Sequence, residues 1–257
     1  MRSRYGFRLN GVDISDIAPE VIVLDIAYNA PVRDLKTTRL AERDGQVLTG
    51  IVTSSQSVSV FFEIHTQDIL LRAQVLESVR CWAASGGWLT TDDMNGKRLG
   101  VVCESLPALS SSLKWMQRLS ATFTAYACPF WEDEIPMNVV IQGNGSKTIY
   151  VPGYAAPAGV EVIVTNAGTS AISSVTISAG DTYMTFSGLA LAAGKALRIG
   201  HDARGLLDAS IDGTGVLSRR TAQSSDELIL EPGKSAAIAV SATGGTAATK
   251  VMIRGRY

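Results

Sequence analysis

Val58-Ser59-Val60-Phe61-Phe62-Glu63-Ile64-His65-Thr66-Gln67-Asp68-Ile69-Leu70-Leu71-Arg72-Ala73-Gln74-Val75-Leu76-Glu77-Ser78-Val79-Arg80-Cys81-Trp82-Ala83-Ala84-Ser85-Gly86-Gly87 is the stretch on which the fold turns. Its first seven residues read as a strand, with Val58, Val60, Phe62 and Ile64 sharing one face. The period then lengthens. Ile69, Ala73, Leu76, Val79 and Ala83 recur at spacings of three and four, which predicts a helix of about 18 residues. Thr66 stands where a cap is needed, Asp68 favours the positive end, and Ser85-Gly86-Gly87 stops the helix.

Further strands flank this unit at Val21–Tyr28, Gln46–Thr53 and Leu119–Ala127. One helix against several strands is an α+β arrangement, a helix covering a curved sheet or split barrel. Past about residue 137 the character changes. All four Trp and all three Cys lie before residue 132, and the remainder is rich in Ala, Ser, Thr and Gly. Val160, Val162 and Val164 alternate with Glu161, Ile163 and Thr165, and Asn166-Ala167-Gly168 makes a turn. Ser174–Ile177, Met184–Phe186, Leu197–Ile199, Leu228–Leu230, Ala236–Val240 and Val251–Ile253 continue the pattern. Short alternating runs punctuated by Gly, Asn, Asp and Pro indicate an all-β, jelly-roll-like sandwich. The composition shift sets a boundary in Glu132-Asp133-Glu134-Ile135-Pro136, with domains expected at 1–136 and 137–257.

Composition narrows the function. The chain has 257 residues, 46% hydrophobic and 18% charged, with a formal net charge of -1. That apolar content is enough for real cores and argues against disorder. No apolar run is long enough to span a bilayer as a helix. MRSRYGFRLNG lacks the apolar block of a secretory signal. Balanced charge argues against nucleic-acid or anionic-membrane binding, which relies on a basic excess. Cys81, Cys103 and Cys128 lack the paired spacing of a disulfide framework or zinc site, so no metal or cofactor is expected.

Catalytic patterns are weak. His65 and His201 lie in different halves, and neither belongs to a metal or triad motif. Gly143-Asn144-Gly145 and Asp212-Gly213-Thr214-Gly215 resemble phosphate loops but precede no helix, and read as hairpin turns. Asp92-Asp93 and Glu132-Asp133-Glu134 supply the carboxylates a glycoside hydrolase needs, with Asp93 and Glu134 as its candidates. Adjacent acids on a strand point to opposite faces, so solvated acids are the plainer reading. Ser110-Ser111-Ser112 has no histidine nearby in sequence. A carbohydrate-binding sandwich would use aromatic faces, and Tyr183 and Phe186 are its candidates, although this half has no Trp.

Several segments in order carry a resemblance: Tyr5-Gly6-Phe7-Arg8-Leu9-Asn10-Gly11, Glu42-Arg43-Asp44-Gly45, the strand–helix unit 58–85 and Cys128-Pro129-Phe130-Trp131. They continue with Val164-Thr165-Asn166-Ala167-Gly168-Thr169, Leu230-Glu231-Pro232-Gly233-Lys234 and Met252-Ile253-Arg254-Gly255-Arg256-Tyr257. Together they resemble the distal tail protein (Dit) family of long, non-contractile-tailed phages. The resemblance implies a non-enzymatic virion protein at the tail tip, made in the host cytoplasm. Its amino-terminal domain would close a hexameric ring, and a galectin-like sandwich would project outward. The partners implied are copies of itself, the tail-tube protein, the hub or baseplate, and receptor-binding proteins, with DNA only passing through the lumen. Residues placed as inter-subunit contacts are Val58, Val60 and Phe62, on a strand taken to have an open edge, and Glu42, Arg43 and Asp44. Arg43 either offers a forked donor to a neighbour's carboxylate or faces solvent in a hairpin.

Overall fold

The computed structural model describes residues 5–40, 44–108, 118–201 and 206–257. It divides into two compact units, Met1–Trp131 and Glu132–Tyr257.

The first unit holds β1 (Phe7–Leu9), β2 (Val12–Asp13), β3 (Val21–Tyr28), β4 (Val32–Thr38), β5 (Val47–Ile64), α1 (Ile69–Ala84), β6 (Gly87–Thr91), β7 (Lys97–Ser105) and β8 (Leu119–Ala125). These strands pair antiparallel in the order β2-β1-β6-β7-β8-β5-β3, an open sheet rather than a closed barrel. The expected strands at Gln46–Thr53 and Val58–Ile64 are one continuous strand, β5. Its carboxy-terminal half lies in the middle of the sheet. Phe62 pairs with Val23 on one side and Leu119 on the other, and Val58 pairs with Tyr28 and Phe123. The amino-terminal half leaves the sheet and pairs with β4 alone.

Helix α1 is capped by Asp68, whose carboxylate accepts from Leu70 and Leu71 N–H, while Thr66 instead receives the Asp68 N–H. The short acidic side chain reaches the orphan amides of the first turn, and Thr66 stands two residues too early to do so. The buried face of α1 is Arg72, Val75, Leu76, Val79 and Ala83, with Ile69 and Ala73 exposed. Arg72 sits on that face because its guanidinium donates to the Thr66 carbonyl at 2.7 Å. Between helix and sheet, Phe7, Trp82 and Phe123 form an aromatic trio with centroids 5.4–6.2 Å apart.

The second unit holds β9 (Glu132–Asp133), β10 (Met137–Gln142), β11 (Gly145–Tyr150), β12 (Ala156–Asn166), β13 (Ile172–Ala179), β14 (Thr182–Leu191), β15 (Ala196–His201), β16 (Leu207–Ile211), β17 (Thr214–Gly215), β18 (Ile229–Leu230), β19 (Ser235–Thr243) and β20 (Ala247–Arg256). One sheet runs β17-β16-β15-β12-β20-β10, with β18 beside β12 and β9 beside β20. The other runs β11-β19-β13-β14. Both supply one core, with Val162, Val164 and Val251 from the first sheet and Ile177, Phe186 and Ile238 from the second. That is an antiparallel sandwich. Glu132 and Asp133, assigned from sequence to the first half, belong here, since Glu132 pairs with Arg256.

One turn differs from its sequence reading. Asp212-Gly213 does close a hairpin between β16 and β17, both residues having positive φ. Gly143-Asn144 does not: β10 and β11 lie in different sheets, so this is a corner between layers. The Asn144 side chain holds it, accepting from Ala242 N–H at 2.7 Å and donating to Ala242 C=O at 3.3 Å. Asn166 works similarly at the end of β12, its amide donating to Ser170 and Leu191 carbonyls and accepting from Gly168 N–H.

Candidate functional site

The feature least explained by a self-contained fold is the arm formed by β4 and residues 47–54 of β5. Every residue of β4 is exposed, and so are Val47, Leu48, Ile51 and Val52. A two-stranded hairpin with both faces wet is marginal in isolation. This one nevertheless carries large apolar groups, with Leu35, Ile51 and Leu48 at 64%, 54% and 52% exposure.

Register explains how those three meet. Leu35 stands directly opposite Ile51, so both point to the same face. Thr37 also points there, and its partner is Leu48. Leu48 and Ile51 are an odd number of residues apart and would face opposite ways on a regular strand. The bulge at Thr49 removes that conflict: pairing steps from Lys36↔Gly50 to Thr37↔Leu48 and leaves Thr49 as the extra residue. A second bulge makes Ser54 the extra residue between Ser55 and Thr53. Each extra residue uses its hydroxyl to reach the facing strand, Thr49 donating to Lys36 C=O at 2.9 Å and Ser54 to Val32 C=O at 3.5 Å. Side-chain donors thus stand in for ladder bonds lost to the bulges. Arg33, Lys36 and Arg39 give this exposed arm a cationic fringe, with Asp34 and Asp44 as its described acids. The arm is an apolar, twisted, charged-edged tongue reaching about 25 Å along the strand direction.

The structure redistributes the expected contact residues. Val58, Val60 and Phe62 are 0% exposed and their strand is paired on both sides, so they are core rather than surface. Alternation identified the strand correctly but carried no information about whether its edges were free. Asp44 is exposed beside the arm tip, whereas Glu42 and Arg43 lie outside the described residues. The surface that sequence reading missed is Leu35, Leu48 and Ile51.

Most carboxylates of the acidic clusters are tied to neighbouring groups of their own unit. Asp92 accepts from Gly6 N–H at 2.9 Å and Arg8 at 2.7 Å, and the Arg8 hydrogen bond holds its carboxyl below the usual range. Asp93 accepts from the Tyr28 hydroxyl at 3.2 Å, and the Thr91 hydroxyl lies within hydrogen-bond distance of the same phenol oxygen at 2.8 Å. Burial is the main cause that pushes the Tyr28 phenol up to about 12. In the second unit the closing strand engages the carboxylates of Glu132 and Asp133 but only the main-chain carbonyl of Glu134, whose side chain is exposed. Arg254 donates to the carbonyls of Asp133 and Glu134, Gly255 N–H and the Tyr257 hydroxyl to the Asp133 carboxylate, and Arg256 to Glu132. These acids fasten the chain ends of a sandwich. His201 meets Glu227 at 3.5 Å, and His65 anchors its main chain to Glu20. Ser110-Ser111-Ser112 lies outside the described residues.

The sugar-platform candidates separate. Phe186 is wholly buried in the sandwich core, so it cannot stack on a ligand, while Tyr183 is exposed. Among the described residues no group of three or more His, Cys, Asp or Glu is placed to hold a metal ion. Nor, among them, is any helix long and apolar enough to cross a membrane.

Comparison with known proteins follows the fold rather than the sequence. No family model and no curated protein matches the chain. Among solved structures, the Dit (gp 19.1) protein of phage SPP1, described as a paradigm of the hub adsorption apparatus in phages infecting Gram-positive bacteria, superposes with a TM-score of 0.70. It is 12% identical, and the match covers 98% of this chain and 99% of that chain. The phage P2 baseplate in its activated conformation is also similar, with TM-scores of 0.53 for the calcium structure and 0.54 for the strontium structure. Both matches are at 10% identity and cover 97% of each chain. The chain therefore has a Dit-like fold over nearly its whole length.

Proposed function

We propose that this chain is a distal tail subunit of a long, non-contractile phage tail. Copies would close into a ring of about six at the tail tip through the first unit, while the second projects as a galectin-like sandwich. The observation that carries this reading is the likeness to the SPP1 Dit protein across 98% of the chain, both units included, at a TM-score of 0.70. A match confined to the sandwich would have pointed only to a binding module.

The arm supports the same reading. A ring built by rotation uses two unlike patches at every contact and leaves neither free. The exposed face of Leu35, Leu48 and Ile51 supplies one such patch, since apolar surface of this kind is removed from water on assembly. In this role the ring joins the end of the tail tube to the hub or baseplate and carries receptor-binding proteins. DNA passes through its lumen without specific contacts, and a near-neutral chain suits a conduit that must not hold the genome. The protein would be made in the bacterial cytoplasm and reside in the virion.

Negative-stain imaging and light scattering of the purified chain test the proposal. The expected result is a discrete ring of about six chains. A monomer at every concentration from micromolar to near-millimolar would overturn it.

A further inference from the structure

We infer that Asn95-Gly96 is a site of spontaneous, one-way deamidation, singled out by the fold from three chemically equivalent steps. The chain contains Asn10-Gly11, Asn95-Gly96 and Asn144-Gly145. Glycine after asparagine favours the reaction in each case, because no side chain obstructs the approach of the following main-chain nitrogen. Sequence alone does not distinguish the three.

Hydrogen bonding does. The Asn10 amide is held at both ends, donating to Gly86 C=O at 2.9 Å and accepting from Trp88 N–H at 2.9 Å. Space around it is also tight, since a Cβ placed on Gly87 would come within 2.2 Å of Asn10 Oδ1. The Asn144 amide is likewise held at both ends by Ala242. Neither side chain can swing its Cγ toward the next nitrogen without breaking two bonds. Asn95 is exposed in the turn between β6 and β7, and its amide has no protein partner among the described residues. Gly96 has φ +71° and open space around it, and the restraint on ring closure there is the main-chain bond across the turn, Lys97 N–H to Met94 C=O at 3.0 Å, rather than any hold on the Asn95 side chain.

The reaction balances without a co-reactant other than water. The Gly96 nitrogen loses its proton to solvent and attacks Asn95 Cγ. The Cγ–N bond of the amide breaks, and that nitrogen leaves as ammonia. The resulting succinimide is opened by one water at either carbonyl, leaving aspartate or isoaspartate at position 95. No group is oxidised or reduced. The product places a third carboxylate on a turn that already carries Asp92 and Asp93. The isoaspartate form also inserts an extra carbon into the main chain linking β6 to β7.

Timed incubation of the full chain in mildly alkaline buffer, followed by peptide mass mapping, tests the assignment. In the native protein the Asn95 peptide should convert first, with Asn10 and Asn144 roughly thirtyfold slower if two hydrogen bonds must open. In denaturant the three rates should converge, and N95Q should remove the fast phase. Native conversion at Asn95 no faster than at the other two would overturn the inference. So would a difference that persists in denaturant, since the fold would then not be its source.

Discussion

The two halves of β5 are one strand in two environments. From Val58 to Phe62 it is paired on both sides, with Val58, Val60 and Phe62 buried on one face and Ser59 and the half-buried Phe61 on the other. From Val47 to Ser54 it has one partner, carries two bulges, and exposes its apolar residues. Alternation therefore marks a surface covered within the same chain. Apolar residues that break alternation, then realign through a bulge, mark a surface prepared for something else. The expected changes in unfolding stability rank the ways to break this contrast.

The largest loss belongs to the core half. Phe62 is wholly buried between β3 and β8, so Phe62→Ala deletes a ring that its neighbours cannot collapse to replace. It should cost about 3–5 kcal/mol in denaturant unfolding. A loss below about 1 kcal/mol would mean that this half of β5 is no more core than the arm.

Next comes the place where β3 ends and the arm begins. Tyr28 pairs with Val58, and its hydroxyl is hydrogen-bonded to Asp93 and to the Thr91 hydroxyl. Tyr28→Phe should cost about 1 kcal/mol at neutral pH by removing these bonds. The phenol is raised from 10.0 to about 12, so the folded state favours its protonated form. The associated stability is present below pH 10 and is lost as pH rises from there through about 12. Phenolate absorbance read alongside thermal melting checks the sign. Ionisation of Tyr28 at an ordinary tyrosine pH in the folded protein would contradict the packing described for this junction.

A smaller effect is expected at the bulge. Thr49→Val keeps the β-branched shape but removes the hydroxyl that reaches Lys36 C=O. The loss should be about 0.5 kcal/mol, felt inside the arm alone. Amide hydrogen exchange should quicken across β4 and residues 47–54 and stay unchanged from Val58 to Ile64. Acceleration in both halves would show that they open as one unit.

Particular residues show which parts of this were legible in the sequence. Val21–Tyr28 reads as a strand and is one, because Val21, Ile22, Val23 and Ile26 make it rich in β-branched residues despite Asp25. Val160, Val162 and Val164 declare their sandwich face by strict period two. Arg72 was not legible as a buried helix residue, since its burial depends on a carbonyl at Thr66 that only the folded turn presents. Asn144 was misread because Gly-Asn-Gly specifies a sharp turn but not whether the strands beyond it share a sheet. The surface of Leu35, Leu48 and Ile51 was hidden by the same limit: at positions 48 and 51 spacing argues against a common face, and the bulge that unites them is a property of pairing.

The arm's own test has the smallest effect on folding and the greatest bearing on function. Leu35→Lys combined with Ile51→Lys exchanges two side chains that are already more than half exposed, in a hairpin paired to nothing but itself. Unfolding of the isolated chain should move by no more than about 0.5 kcal/mol, the range of ordinary surface substitutions. If the face is covered in a ring, each contact instead buries two lysines against apolar surface, and that penalty recurs around the whole circle. Light scattering should then report separate chains where the parent gives rings. The pair of readouts makes the outcome decisive: unchanged rings would place the subunit contact elsewhere, and a collapse of folding would show that the arm belongs to the core of its own chain.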